Sequence, residues 1–347
     1  MSPAGWDADG PLAALAREQG IHCLPIPTPF AVGRVNVYLI DDDPLTLVDA
    51  GPNSGIALDE LERGMHALGR RVEDLGLIVV SHQHMDHLGL VDIVQRRCGA
   101  DVAALDALVP WMARYGDFME ADDAFAEAVM GRHGIPPETR LALRAVAHVF
   151  RGWGAKATVT RPLRDGDDLV LRDRTLRVLH RPGHSPSDTV FHDASRRTLI
   201  AADHLIKHIS SNPLIARPLD SPLDDVELAR GLNRPRSLMI YMRSLLATQA
   251  MDLELVLPGH GDAFDDHAQI IDDRFRLHER RAAKLHGLVG EQPRTAYELA
   301  QALWGNVAVT QAYLTLSEVL GHMDLLVDDG RAIEVQDDSG VVRFEAC

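Results

Sequence analysis

Two hydrophobic regimes alternate along this chain. Short runs of β-branched and aliphatic residues end abruptly in turn residues, and between them apolar residues recur every three or four positions. Residues 35–40 read as a strand, 41–44 as a turn, and 45–48 as a second strand closed by Asp49-Ala50-Gly51. Over 56–68 the spacing is helical, with Leu58, Leu61, Met65 and Leu68 on one stripe. The wholly apolar run 77–80 predicts a short buried strand that stops at Ser81-His82, and 88–96 predicts a helix.

From about 103 to 150 the pattern changes. Ala, Leu, Met and Glu dominate, with breaks at 131–134 and Pro136-Pro137, which predicts a helical insertion over or beside the main body. Strand patterns return at 168–171, 175–179, 189–192, 198–201 and 254–257. Strands followed by helices, twice over, predict an α/β protein with two sheets and outer helices. A charged helix at about 270–287, with Arg274, Arg276, Arg280, Arg281 and Lys284, ends ahead of Pro293. The expected division is therefore a main domain over 1–270, a linker helix over 271–287 and a tail domain over 288–347. In the tail, a helix after Thr295, a second at about 310–326, and strands at 332–335 and 341–344 give the outline of a winged helix.

At 347 residues the chain has room for about two domains and a sizeable core. With 35 Lys and Arg against 51 Asp and Glu, its net charge is −16. Such a surface repels phosphate backbones and anionic lipid, which argues against nucleic-acid and membrane partners. The opening MSPAGWDADG has no basic stretch leading into an apolar core, and no apolar run approaches the ~20 residues that cross a bilayer. Cys23, Cys98 and Cys347 are too few and too scattered for a disulfide framework. The expectation is a soluble, cytoplasmic protein.

The 17 histidines are not evenly spread. Ser81-His82-Gln83-His84-Met85-Asp86-His87 follows a buried strand directly. In an extended loop His82 and His84 point to one side, whereas Asp86 and His87 fall where a helix begins and aim elsewhere. One segment can thus serve two neighbouring ions. Uncharged imidazoles and a carboxylate crowded together cost stability unless something pairs them. Three further segments end in a ligand: 175–179 leads to Pro182-Gly183-His184, 198–201 to Ala202-Asp203, and 254–257 to Pro258-Gly259-His260-Gly261. Imidazole and carboxylate donors without thiolate suit zinc, with iron or manganese as alternatives.

The ordered set His82-x-His84-x-Asp86-His87, His184, Asp203 and His260 resembles the metallo-β-lactamase-fold hydrolase superfamily over about residues 20–270. The resemblance implies a four-layer αβ/βα sandwich with its metal site at the sheet ends. It implies two divalent metal ions, one on His82, His84 and His184, the other on Asp86, His87 and His260, with Asp203 bridging. Asp49 matches the family's D-x-G aspartate, which orients a ligand by hydrogen bonding. The tail resembles that of the winged-helix-tailed (LACTB2-like) subgroup. The implied chemistry is hydrolysis by hydroxide formed between the cations, with Asp86 or Asp203 steering the proton. No G-x-S-x-G elbow is present.

A small acyl substrate, thioester or ester in the manner of glyoxalase II, leads the expectations. An endoribonuclease or phosphodiesterase and a lactonase are the alternatives, followed by a β-lactamase and a single-iron oxygenase. Nuclease action fits the tail poorly. Its second helix has no Lys or Arg but carries Glu318 and Asp324, and Arg294, Arg331 and Arg343 face ten acidic residues across 288–347. Such a tail instead packs on the main domain or makes a homodimer. Lys207 and His208, just after Asp203, are candidate contacts for a substrate carboxylate or phosphate. Tyr38, with Trp111, Met112, Tyr115, Phe118 and Met119, is a candidate wall of an apolar pocket, or plain core.

Overall fold

The computed structural model describes residues 5–347; residues 1–4, on which part of the N-terminal reading rests, lie outside them. In chain order the elements are α1 (Pro11–Glu18), β1 (Ile21–Ile26), β2 (Val35–Ile40), β3 (Thr46–Val48), α2 (Gly55–Ala67), β4 (Leu77–Val79), α3 (Met85–Leu88), α4 (Val91–Cys98) and β5 (Asp101–Leu105). Then come α5 (Leu108–Ala113), α6 (Tyr115–Arg132), α7 (Pro137–Phe150), β6 (Arg161–Leu163), β7 (Asp168–Val170), β8 (Thr175–His180), β9 (Thr189–Asp193) and β10 (Thr198–Ala202). The chain ends with α8 (Ser237–Gln249), β11 (Leu255–Pro258), α9 (His267–Glu291), α10 (Ala296–Trp304), α11 (Val307–Thr310), α12 (Ala312–Asp328), β12 (Ala332–Gln336) and β13 (Val342–Ala346). No helix among the described residues is long and apolar enough to cross a membrane.

The chain gathers into two compact units. The first comprises Met1–Gly116, Phe150–Ser211 and Ala247–Ala268. It holds a six-stranded sheet, β1 to β6 in sequence order, antiparallel from β1 to β3 and parallel from β3 to β6. Its second sheet runs β11-β10-β9-β8-β7, with only β10 and β11 parallel. Ile40, Val48 and Val79 from one sheet share a core with Val178, Phe191 and Leu257 from the other. The result is an α/β sandwich of two mixed sheets with flanking helices. β2 is buried along its length, which is why VNVYLI reads as an almost unbroken apolar run. On the outside, α2 lies against β1 and buries Ala57, Leu61 and Met65, started by Ser54 Oγ accepting from the Ala57 amide at 3.1 Å.

The second unit comprises Asp117–Val149, Asn212–Leu246 and Gln269–Cys347. Two helices and a hairpin occur in the tail as expected, with the short α11 between them. Their core, however, also takes in Phe125 and Val129 of α6 and Leu285 and Val289 of α9. The compact units therefore do not follow the linear division at 270 and 287, and α9 runs unbroken through the expected linker.

Residues 101–105 are a strand where the insertion's helices were expected to begin near 103. Alanine content points to helix there, but Val102, Ala103 and Ala104 are buried between β4 and β6, and sheet packing overrides propensity. β1 escapes the pattern because an edge strand tolerates Pro25 and half-buried polar residues. The helix expected at 88–96 is two, α3 and α4, parted at Gly89. A Cβ on Gly89 would stand 2.2 Å from the Asn53 amide nitrogen and 2.3 Å from the Trp153 carbonyl oxygen, so the close approach of those two backbones needs glycine.

Candidate metal centre

Each chemistry-bearing segment leaves the C-terminal end of a strand in the two-sheet unit. The loop after β4 supplies His82 and His84, and the single turn of α3 supplies Asp86 and His87. His184 follows β8, Asp203 follows β10 and His260 follows β11.

The seven side chains form two adjoining groups. His82, His84, His184 and Asp203 each bring a ligand atom within 4.8 Å of the others, and so do Asp86, His87 and His260. His84 Nδ1 and His184 Nε2 are 3.0 Å apart. Asp203 faces both groups: its Oδ2 lies 3.5 Å from His184 Nε2 and 3.4 Å from His260 Nε2, and its Oδ1 lies 3.5 Å from His87 Nε2. Asp86 Oδ2 is 3.4 Å from His260 Nε2.

Outer partners fix these rings. Asp49, at φ 63°, accepts from the Ser81 amide (2.8 Å) and hydroxyl (2.7 Å) and from His87 Nδ1 (2.8 Å), turning His87 Nε2 inward. His260 Nδ1 donates to the Arg34 carbonyl at 2.8 Å. Asn36 donates to the carbonyls of Pro258 (2.9 Å) and Gly261 (2.8 Å), clamping the turn that carries His260. A Cβ on Gly259 would stand 2.0 Å from Asp203 Oδ1, so only glycine lets that turn come so close. Ala202, just before Asp203, sits at φ 44°, a strained conformation of the kind found where function demands it.

Charge separates the rings. Burial and neighbouring imidazoles push His84 down to about 3 and His82 well down too. Burial also opposes charge on His87 and His260, but Asp203, with Asp49 and Asp86 at His87 and Asp86 at His260, overcomes it. His87 is raised well above its ordinary value and His260 to about 10. Burial alone would raise Asp86 and Asp203, yet His87 and His260 hold both carboxyls down. His82 Nε2, His87 Nε2 and Asp203 Oδ1 are buried with no hydrogen-bond partner among the described residues. Converging, unsatisfied nitrogen and oxygen donors fit bound cations.

The remaining candidates lie differently. Tyr38 is buried and its hydroxyl donates to the Pro258 carbonyl at 2.6 Å, so it props the end of β11 rather than walling a pocket. Lys207 Nζ pairs with Asp266 at 3.0 Å, and His208 is half-exposed with Nε2 3.9 Å from Asp262. Trp111, Met112 and Tyr115 are buried in the two-sheet unit, and Phe118 is buried in the other. Asn36, Ser81 and Arg34 escaped the sequence reading. Only Asn36 carried a signal there, as the one strongly polar residue in an apolar strand.

The metallo-beta-lactamase superfamily matches residues 31–260 of this chain. The chain is 31% identical over 309 residues to the probable metallo-hydrolase YqjP of Bacillus subtilis (strain 168), covering 89% of this chain and 92% of that one. It is 27% identical over 215 residues to the acyl-coenzyme A thioesterase MBLAC2 of Gallus gallus, covering 58% of this chain and 67% of that one. Among solved structures it is similar to the metallo-beta-lactamase family protein TTHA1429 from Thermus thermophilus. The TM-score is 0.76 at 25% identity, over 94% of this chain and 99% of that one. A beta-lactamase domain protein from Burkholderia ambifaria gives a TM-score of 0.78 at 25% identity, over 94% and 92%.

Proposed function

Because the chain belongs to the metallo-beta-lactamase superfamily and is a hydrolase of that family, we propose that it hydrolyses a small acyl substrate, a thioester first and a simple ester second. The observation that carries this reading is the pair of adjoining ligand groups with Asp203 facing both. His82, His84 and His184 would hold one divalent ion and Asp86, His87 and His260 the second, with Asp203 between them. Zinc suits these donors best, with iron or manganese as alternatives. When bound, such a pair supplies an acidified water and polarises the substrate's carbonyl oxygen.

The chain's own residues do the rest. Asp86 or Asp203 would take the proton released by the attacking water at a carboxylate Oδ. Asp49, Asn36 and the Arg34 carbonyl keep the ligand rings aimed. Lys207, exchanging Asp266 for the substrate, and His208 meet an anionic group on it. The acyl class is supported by the name of the thioesterase relative, and the acidic balance of the chain weighs against a nucleic-acid substrate. Within the basic stretch of α9, Arg281 pairs with Glu318 and Arg276 with Asp273, which weakens the phosphodiesterase alternative. The helices and hairpin of the tail we read as a winged-helix outline of the LACTB2-like kind, serving packing or a homodimer, in a cytoplasmic enzyme.

The test is elemental analysis of purified protein, with turnover of acyl-coenzyme A thioesters, aryl esters, lactones, a phosphodiester and structured RNA. Thioester or ester hydrolysis that is lost on chelation and in His84→Ala, with circular dichroism unchanged, is the expected result. Cleavage of RNA with no acyl hydrolysis overturns the substrate class, and full turnover in His84→Ala overturns the site.

A further inference from the structure

A second set of metal-ligand types lies in the other unit and shares no residue with the seven above. His278 comes from α9, while Glu318 and His322 lie four apart on α12 and so share one face of that helix. All three are buried, and each places a ligand atom within 4.8 Å of the other two. His278 Nδ1 and His322 Nε2 are 3.1 Å apart, matching the 3.0 Å between His84 and His184. Two nitrogens each ~2.0–2.1 Å from one ion, at a near-tetrahedral angle, stand about 3.3–3.4 Å apart, so the rings need move only a few tenths of an ångström to share one. His322 Nδ1 donates to the Glu318 carbonyl oxygen at 2.6 Å, which leaves the Nε2 lone pair aimed at His278.

Glu318 pairs with Arg281, whose guanidinium also lies 5.5 Å over the Trp304 ring. Glu318 Oε1 faces Arg281 and lies 3.7 Å from His322 Nδ1, so the carboxylate's second oxygen is the one a cation would take. Burying two imidazoles and a carboxylate between α9 and α12 costs desolvation that a shared cation would offset.

We infer that His278, Glu318 and His322 form a third cation site, taking a single zinc-class ion that cross-links α9 to α12. Its N₂O donor set leaves a fourth position for water. The ion ties the tail's long helix to the helix before it, and it takes no part in the hydrolytic chemistry. This assignment does not depend on the substrate proposed above.

The experiment strips the full chain with a chelator, reloads it with Co²⁺ and then Zn²⁺, and counts bound metal per chain. His322→Gln and His278→Gln keep a polar group of similar size, and circular dichroism establishes that each is folded. Each variant should hold one equivalent fewer than the parent and lose the corresponding part of the Co²⁺ visible absorption. The same comparison in a His84→Ala/His260→Ala background removes the first centre from the count. That background should keep one tight equivalent and lose it on adding His322→Gln. Equal metal content in parent and folded variants in both backgrounds overturns the site, and the histidines are then only a hydrogen-bonded pair. Retention of acyl hydrolysis in His322→Gln alongside the lost equivalent separates this outcome from any failure of the hydrolase reading.

Discussion

Asp49 accepts three hydrogen bonds, from the Ser81 amide, the Ser81 hydroxyl and His87 Nδ1, all between 2.7 and 2.8 Å. Its own work is to decide which nitrogen of His87 is left for a cation. Replacing it with alanine leaves His87 without its acceptor, and outer partners of this kind are worth about 10–100-fold in metal affinity. Asp49→Ala should therefore lose about that factor in a chelator competition while its circular dichroism stays native. Unchanged affinity would show that the ring is aimed by packing alone. Asp49 and the seven converging side chains could be singled out in the sequence, because His82 to His87 crowd one motif after an apolar run, and His184, Asp203 and His260 each follow another. Arg34 was not legible, since it acts through its carbonyl and any residue there supplies the same atom. Ser81 was quoted only as the edge of the histidine motif, for nothing local tells which aspartate it will meet.

Among the elements, α10 starts on a reciprocal cap. The Glu298 amide donates to Thr295 Oγ1 at 3.1 Å and the Thr295 amide donates to Glu298 Oε2 at 2.7 Å. Thr295→Ala removes one half of that exchange. It should cost about 1 kcal/mol in chemical denaturation, with activity unaffected at saturating metal. No loss would mean that the packing of Leu299 and Ala300 alone starts the helix. Thr295 was readable as a cap because a polar residue preceding an apolar run is a local signal. β5 was not readable, because its alanines become strand residues only when β4 and β6 cover them. The same limit hid α1 and α8, whose stripes are too short or too apolar to stand out from their neighbours.

For the whole molecule, the linear reading failed where a core is assembled from separated stretches. The second unit draws on three segments, and no composition shift marks the return of the chain to it at 212. His133, stacked parallel on Phe344 at 6.2 Å, contributes to its acid response. Burial, then Arg234 and Arg132, holds this ring well below its ordinary value of 6.5. The folded chain therefore resists the proton that the unfolded chain accepts. Its contribution is whole above pH about 6.5 and declines as pH falls below it. The melting temperature should drop from pH 7 to pH 5, and less steeply in His133→Gln. Equal slopes in the two proteins would assign the acid loss to other groups.

The gathering of ligands from strand ends also sets a timetable for biosynthesis. The nascent chain exposes His82, His84, Asp86 and His87 well before the ribosome has made β11 and His260. At ~5–20 residues per second the interval is roughly ten to thirty-five seconds. Throughout that interval the early imidazoles wait for partners that the later chain supplies, and the full donor set exists only once β11 has been made.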